Sequence, residues 1–219
     1  MRKSLLLAAT AAATAMLVLA PAAGALAAPA HDVLTTGKVG GANVKVKDVL
    51  QAGLKAKTVL VFSSVSGTAI SLKCAKSTIT SKVTANPARP GTAVQSLTGE
   101  TVTGCKASTT LVRSVTVTVT KLPNRTTIGD ARGNPVTVFR PSATLKIVTT
   151  VVGTLTCKYT ATKISGKASN TGSLISFSKQ VFTRAAGSNG FCPAKGALTA
   201  TYGPVVDLSV RGHPHVFVN

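Results

Sequence analysis

The sequence predicts an all-β fold, an antiparallel β-sandwich with a barrel as the alternative form. Three observations carry that expectation. β-branched residues alternate with period two, most clearly in Val115-Thr116-Val117-Thr118-Val119-Thr120, where Val takes one face and Thr the other. Clusters of Gly, Pro and Asn separate such runs at short intervals. Only Asp48–Lys57 offers a short amphipathic helix, and Gly53 within it makes a strand an equal reading.

In chain order, the first element is expected to be removed before folding. Met1-Arg2-Lys3 is a short positive start, Leu5 to Ala20 is an uncharged apolar run, and Ala25-Leu26-Ala27 fits a small-residue cleavage site. Residues 1–27 therefore read as a secretory signal peptide, too short and wrongly flanked for a membrane anchor. A single Arg before the apolar run favours the general secretory route. The first cysteine is Cys74, so no lipid anchor is expected at the cleavage site. Leu122-Pro123-Asn124-Arg125-Thr126 lacks the flanks of a sortase signal, and the mature protein is expected to be monomeric and free of covalent anchoring. Removing 27 of the 219 residues leaves 192, with 23 basic and 5 acidic side chains and a formal charge of +18. Residues 28–219 are enough for one core.

Strands are expected at Val44–Lys47, Thr58–Ser63, Thr68–Lys73, Ser77–Thr84, Val115–Thr120, Ala143–Thr150 and Leu174–Thr183. Turns are expected at Gly40-Gly41, Asn86-Pro87, Pro90-Gly91, Gly104, Pro123-Asn124, Gly133-Asn134-Pro135, Asn170-Thr171-Gly172 and Ser188-Asn189-Gly190. The basic, turn-rich stretch Asn124–Pro141 reads as a long exposed loop. The chain also resembles itself. Thr58 through Gly67-Thr68 to Cys74 parallels Ala143 through Gly153-Thr154 to Cys157, and Ile79–Asn86 parallels Ile164–Asn170. Two pseudo-repeat units follow, about 58–120 and 143–208. With no linker between them, they read as two halves of one domain.

Four cysteines in an exported chain favour disulfides. No two lie within four residues of each other, so a zinc-ribbon spacing is absent. Of the three possible connectivities, Cys74–Cys105 with Cys157–Cys192 is preferred. Each would close a loop of roughly 30–36 residues, a constraint of about 3–4 kcal/mol on the unfolded chain.

The chemistry is sparse. His31 lies at the new N-terminus, and His213-Pro214-His215 has no third metal ligand nearby in sequence. No G-x-S-x-G elbow occurs. The acids Asp32, Asp48, Glu100, Asp130 and Asp207 are scattered. The mature chain has no Trp and only Tyr159 and Tyr202 beside six Phe, which is poor material for stacking on sugars or single-stranded nucleic acid. No catalytic, metal or cofactor-binding residue is therefore assigned, and neither an enzyme nor a specific nucleic-acid binder is expected. What remains is positive charge. Arg125, Arg132, Arg140, Lys158, Lys163, Lys167 and Lys179 are the candidate face for anionic polymers. The bland counterpart is a basic surface that serves solubility and blunts strand edges.

The run Cys74 … Lys82-Val83-Thr84-Ala85-Asn86-Pro87 … Pro90-Gly91-Thr92-Ala93 … Leu97-Thr98 … Gly104-Cys105 resembles uncharacterised secreted proteins of Streptomyces-like actinobacteria. Gly153-Thr154-Leu155-Thr156-Cys157-Lys158-Tyr159 and Leu198-Thr199-Ala200-Thr201-Tyr202 extend the likeness over about residues 40–208. The resemblance implies export and an all-β fold and supplies no activity. The expected function is that of a non-catalytic, exported cell-envelope or extracellular binding or structural protein, held on anionic wall polymers by its charge. The alternative is a protein-binding module, such as an inhibitor of a secreted protease acting through the Ala185–Cys192 loop. A hydrolase whose acids converge only in space, through Glu100 or Asp207, is the third reading.

Overall fold

The computed structural model of the chain describes residues 31–65 and 70–219. The expected signal peptide and the first part of the expected strand Thr68–Lys73 lie outside the described residues.

Alternating burial builds the strands. In chain order they are β1 (Leu34–Thr36), β2 (Ala42–Asn43), β3 (Val49–Gly53), β4 (Leu60–Ser64), β5 (Ser71–Ala85), β6 (Thr92–Ala107), β7 (Val112–Thr120) and β8 (Asn124–Gly129). There follow β9 (Pro135–Phe139), β10 (Ser142–Thr149), β11 (Thr154–Thr160), β12 (Lys163–Ser169), β13 (Leu174–Arg184), β14 (Lys195–Tyr202), β15 (Val206–Asp207) and β16 (Val216–Val218). On β11, Leu155, Cys157 and Tyr159 are buried while Thr154, Thr156 and Lys158 are exposed. That is the period-two pattern of a sheet with one wet face.

The chain is all-β, and the sheet closes. The order β12-β9-β8-β6-β5-β4-β14-β13 returns to its start through the β12–β13 pairing, giving an eight-stranded antiparallel barrel. Closure removes the edges that an open sandwich would leave unpaired. The far end of β13 carries β11, β10 and β7, β3 pairs with β5 and β15, and a small sheet β16-β1-β2 stands apart. The long strands β5, β6 and β13 serve both parts of the molecule. Each changes register where it passes from one to the other, between Thr80 and Ser81 on β5 and between Phe177 and Gln180 on β13.

The two self-similar stretches of sequence take part in similar pairings. Leu60 faces Cys74 across the β4–β5 hairpin, and Leu145 faces Cys157 across β10–β11. Ala52 of β3 faces Ile79, and Val138 of β9 faces Ile164. The equivalence thus reaches upstream of each hairpin. The units interlock reciprocally: β7 pairs with β10, and β14 pairs with β4. Where β5 runs unbroken, its counterpart is split into β11 and β12 at Ala161-Thr162. Both disulfides have the preferred connectivity, Cys74–Cys105 and Cys157–Cys192. The first joins directly opposed residues of β5 and β6, and the second ties β11 to the loop before β14.

Two local expectations are corrected, and one open choice is settled. Val44–Lys47 is a turn, closed by the Lys45 N–H on Asp48 Oδ2 at 2.7 Å and the Asp48 N–H on the Lys45 carbonyl at 3.1 Å, with Lys47 at φ 82°. Of the two readings open for Asp48–Lys57, the strand is the one formed, as β3. Asn124–Pro141 is the hairpin β8–β9, because Thr126, Ile128, Val136 and Val138 alternate inward among the arginines.

Candidate functional site

All 23 described Lys and Arg residues are exposed, and none of the five acids is. Four of the five, Asp48, Glu100, Asp130 and Asp207, have side-chain partners within the fold. Asp130 accepts the Gly91 N–H at 3.1 Å and lies 3.7 Å from Arg89 Nε, the single ion pair among the described residues. Asp48 and Asp207 accept backbone N–H groups of Lys45 and Ser209. Asp32 is held through its backbone, by an isolated bridge with Ala88 and by its N–H on Asn43 Oδ1. The surface is therefore cationic with little internal neutralisation.

The outer face of the barrel gathers part of that charge. Lys82 of β5 stands opposite Ser96, Ser96 opposite Arg125, and Phe139 opposite Lys163. The Arg125 guanidinium lies over the Phe139 ring, 5.0 Å from its centroid, which completes the row and holds the side chain flat on the sheet. At ordinary strand spacing the row spans roughly 20 Å. Lys167, four residues along β12 from Lys163, faces Pro135 on one side and Ser176 on the other. Arg140 is bonded through its N–H to the Thr162 carbonyl, next to Lys163. Lys179 sits in the β13 bulge beside Gln180, whose Oε1 accepts the Ser165 N–H at 2.6 Å. Five of the seven predicted cations, Arg125, Arg140, Lys163, Lys167 and Lys179, thus neighbour one another across β8, β9, β12 and β13.

Lys158 and Arg132 do not join them. Lys158 is on β11 opposite Thr144, and Arg132 is in the β8–β9 turn. Lys82 was not singled out from sequence, although its place beside the buried Val83 in an alternating run was the available signal. Ser and Thr hydroxyls fill the positions between the cations. This combination suits phosphate or carboxylate groups spaced along a polymer.

The carboxyls of the hydrolase reading have separate surroundings. Glu100 Oε1 accepts the Tyr202 hydroxyl at 3.1 Å, and Tyr202 lies 3.1 Å from Ser77 Oγ. Burial pushes the Glu100 pKa up to about 7, opposed by the Tyr202 hydrogen bond. Tyr202 is raised by burial and by the neighbouring Glu100 charge. Asp207 is also raised, first by burial and then by Asp48, against the lowering effects of the Ser209 N–H and His213. Glu100 and Asp207 share no partner. Among the described residues, no three His, Cys, Asp or Glu side chains form a metal-binding group.

Inside the barrel a cavity of about 140 Å³ is lined by Gln95, Glu100, Asn124, Thr126 and Tyr202 among apolar residues. Gln95 Nε2, Asn124 Nδ2 and Thr126 Oγ1 are buried there without a hydrogen-bond partner in the protein.

The Ala185–Cys192 loop is stiff. Arg184 Nη1 donates to the Gly190 and Cys192 carbonyls at 3.0 and 2.8 Å, and Ser188 Oγ donates to the Ala185 carbonyl at 2.7 Å. Phe191, next to the disulfide, is 71 % exposed.

In comparisons with protein-family models, curated proteins and solved structures, no match was found.

Proposed function

We propose that the protein is an exported, non-catalytic binding protein of the cell envelope, retained on anionic wall polymers by the basic barrel face around Arg125, Lys163 and Lys167. The observation that carries this reading is the division of charge: every described Lys and Arg is exposed, and every acid is at least half-buried within the fold. Attraction of this kind is additive over many weak contacts and acts over about 8 Å at physiological ionic strength. The two disulfides suit an oxidising compartment.

The test is sedimentation of the mature protein with native walls across a salt titration, beside walls stripped of anionic polymer. Retention at physiological salt should fade at high salt and on stripped walls. Replacing Arg125, Lys163 and Lys167 together by Glu should move the midpoint to lower salt. Protein left in the supernatant even at low salt overturns the proposal and leaves the basic surface a solubility feature. The stiff Ala185–Cys192 loop with its protruding Phe191 favours a second reading, recognition of a secreted protein. Retention independent of salt and of polymer stripping would favour that reading.

A further inference from the structure

On β8 the outward Arg125 is flanked by two inward polar residues, Asn124 and Thr126. Across the β6–β8 pairing, Gln95 stands directly opposite Thr126, and Leu97 stands opposite Asn124. Gln95, Asn124 and Thr126 are nearly sealed from solvent, at 5, 5 and 7 % exposure. Gln95 Oε1 accepts the Ser81 hydroxyl at 2.6 Å, which turns the amide so that Nε2 is the end left over. Together with Asn124 Nδ2 and Thr126 Oγ1 it makes three donor groups that have no partner in the protein. Directly opposed side chains on paired strands stand about 5 Å apart, and next-but-one neighbours along a strand about 7 Å. The three donors therefore share one patch of the barrel wall.

That patch belongs to the wall of the interior cavity of about 140 Å³. An eight-stranded barrel can enclose one small ligand, and an apolar cavity of about 150 Å³ accepts a benzene-sized ring. Ile79, Val102, Ile128, Val136 and Val138 supply apolar wall for such a ring. No Lys, Arg or His is among the lining residues, and Glu100 is the one acid. An anionic occupant would be buried without a countercharge, which is strongly disfavoured. A cationic one would meet three donor groups, and Glu100 already has the Tyr202 hydroxyl as its partner. A neutral group that only accepts hydrogen bonds suits the patch. A carbonyl oxygen is such a group, with two lone pairs that can satisfy two donors at once.

We infer that the barrel interior binds one small, neutral ring compound, its carbonyl oxygen received by Gln95, Asn124 and Thr126 and its hydrocarbon part against the apolar wall. The polar patch sets the orientation, and the apolar remainder supplies the driving force. This reading goes beyond wall retention and is independent of it. One site uses the inner face of β6 and β8 and the other the outer face, and they fail in different assays.

The experiment is an NMR titration of the mature protein with cyclohexanone, and with methylenecyclohexane as the counterpart of the same shape without an acceptor. Cyclohexanecarboxylate and cyclohexylammonium are the charged analogues. Cyclohexanone should saturate at one molecule per chain and give nuclear Overhauser contacts to the Leu97 and Ile128 methyl groups. The charged analogues should bind at least tenfold more weakly. Thr126→Val and Asn124→Leu should each weaken the ketone roughly fivefold, the worth of one hydrogen bond, without weakening the hydrocarbon. The amide spectrum of each variant reports whether the barrel is intact. Absence of saturable binding at millimolar ketone leaves the donors to buried water and overturns the inference, as does saturation without contacts to Leu97 and Ile128. Equal loss of ketone and hydrocarbon in the variants, or binding of a charged analogue as tight as the ketone, overturns the assignment of a neutral carbonyl.

Discussion

Glu100 carries a carboxyl group inside the barrel with a tyrosine hydroxyl as its partner and no cation against it. The folded protein therefore holds this proton more tightly than the unfolded chain does. Stability from this group is fully present below about pH 4.5, falls as pH rises toward 7, and stays lowered above it. The full span is at most about 3 kcal/mol. Denaturant unfolding should show the wild-type protein less stable at pH 8 than at pH 5. Glu100→Gln, which keeps an acceptor for Tyr202, should flatten that slope and exceed wild type at pH 8. Thr126 makes a parallel case without charge. Its Oγ1 is buried and unpartnered, so Thr126→Val should raise stability by about 1 kcal/mol in the same assay. Neither residue's environment was legible in the sequence. Asn124 and Thr126 stand in a basic, turn-rich stretch, and polar residues there read as loop. The structure turns them inward because Ile128, Val136 and Val138 set the alternation of the same hairpin.

At the scale of elements, packing tightens where the repeat units meet. Gly196 of β14 faces Ser64 of β4, and a Cβ at Gly196 would collide with the Phe62 ring. Phe62 in turn supports both Tyr159 and Phe182. Gly196→Ala should therefore cost about 1–3 kcal/mol by overpacking, measured as a lower denaturation midpoint with an unchanged slope. The elements most legible in the sequence were those with uninterrupted alternation, such as β7, β10 and β13. Val44–Lys47 has the same alternation and still forms a turn, because Asp48 captures the Lys45 N–H and a four-residue run is too short to resist. The disulfide pairing was legible from loop lengths. The continuity of β5 over 15 residues was not, since Ser, Lys and Thr dominate its middle.

For the whole molecule, the sequence supports the all-β class and the repeat, while closure depends on long-range pairing. The β12–β13 contact that seals the barrel involves Gly166, where a larger side chain would meet the Ser176 carbonyl and the Phe177 ring. No local periodicity announces such a contact. The basic face was partly legible for the same reason. Outward positions on β12 could be read from alternation, but the neighbourhood of Arg125, Lys163 and Lys82 exists only once β5, β6, β8, β9 and β12 lie side by side.

The reciprocal seams β7–β10 and β14–β4 carry a consequence for assembly. Each unit completes the other's sheet and leaves its own outer strand unpaired, so one unit alone would expose a pairing edge. Two copies of a half-length chain would satisfy both edges at once, forming the same seam twice about a twofold axis. In the single chain, the short connection from β8 to β9 tethers the two units. It replaces an encounter governed by concentration with one that every molecule carries within itself.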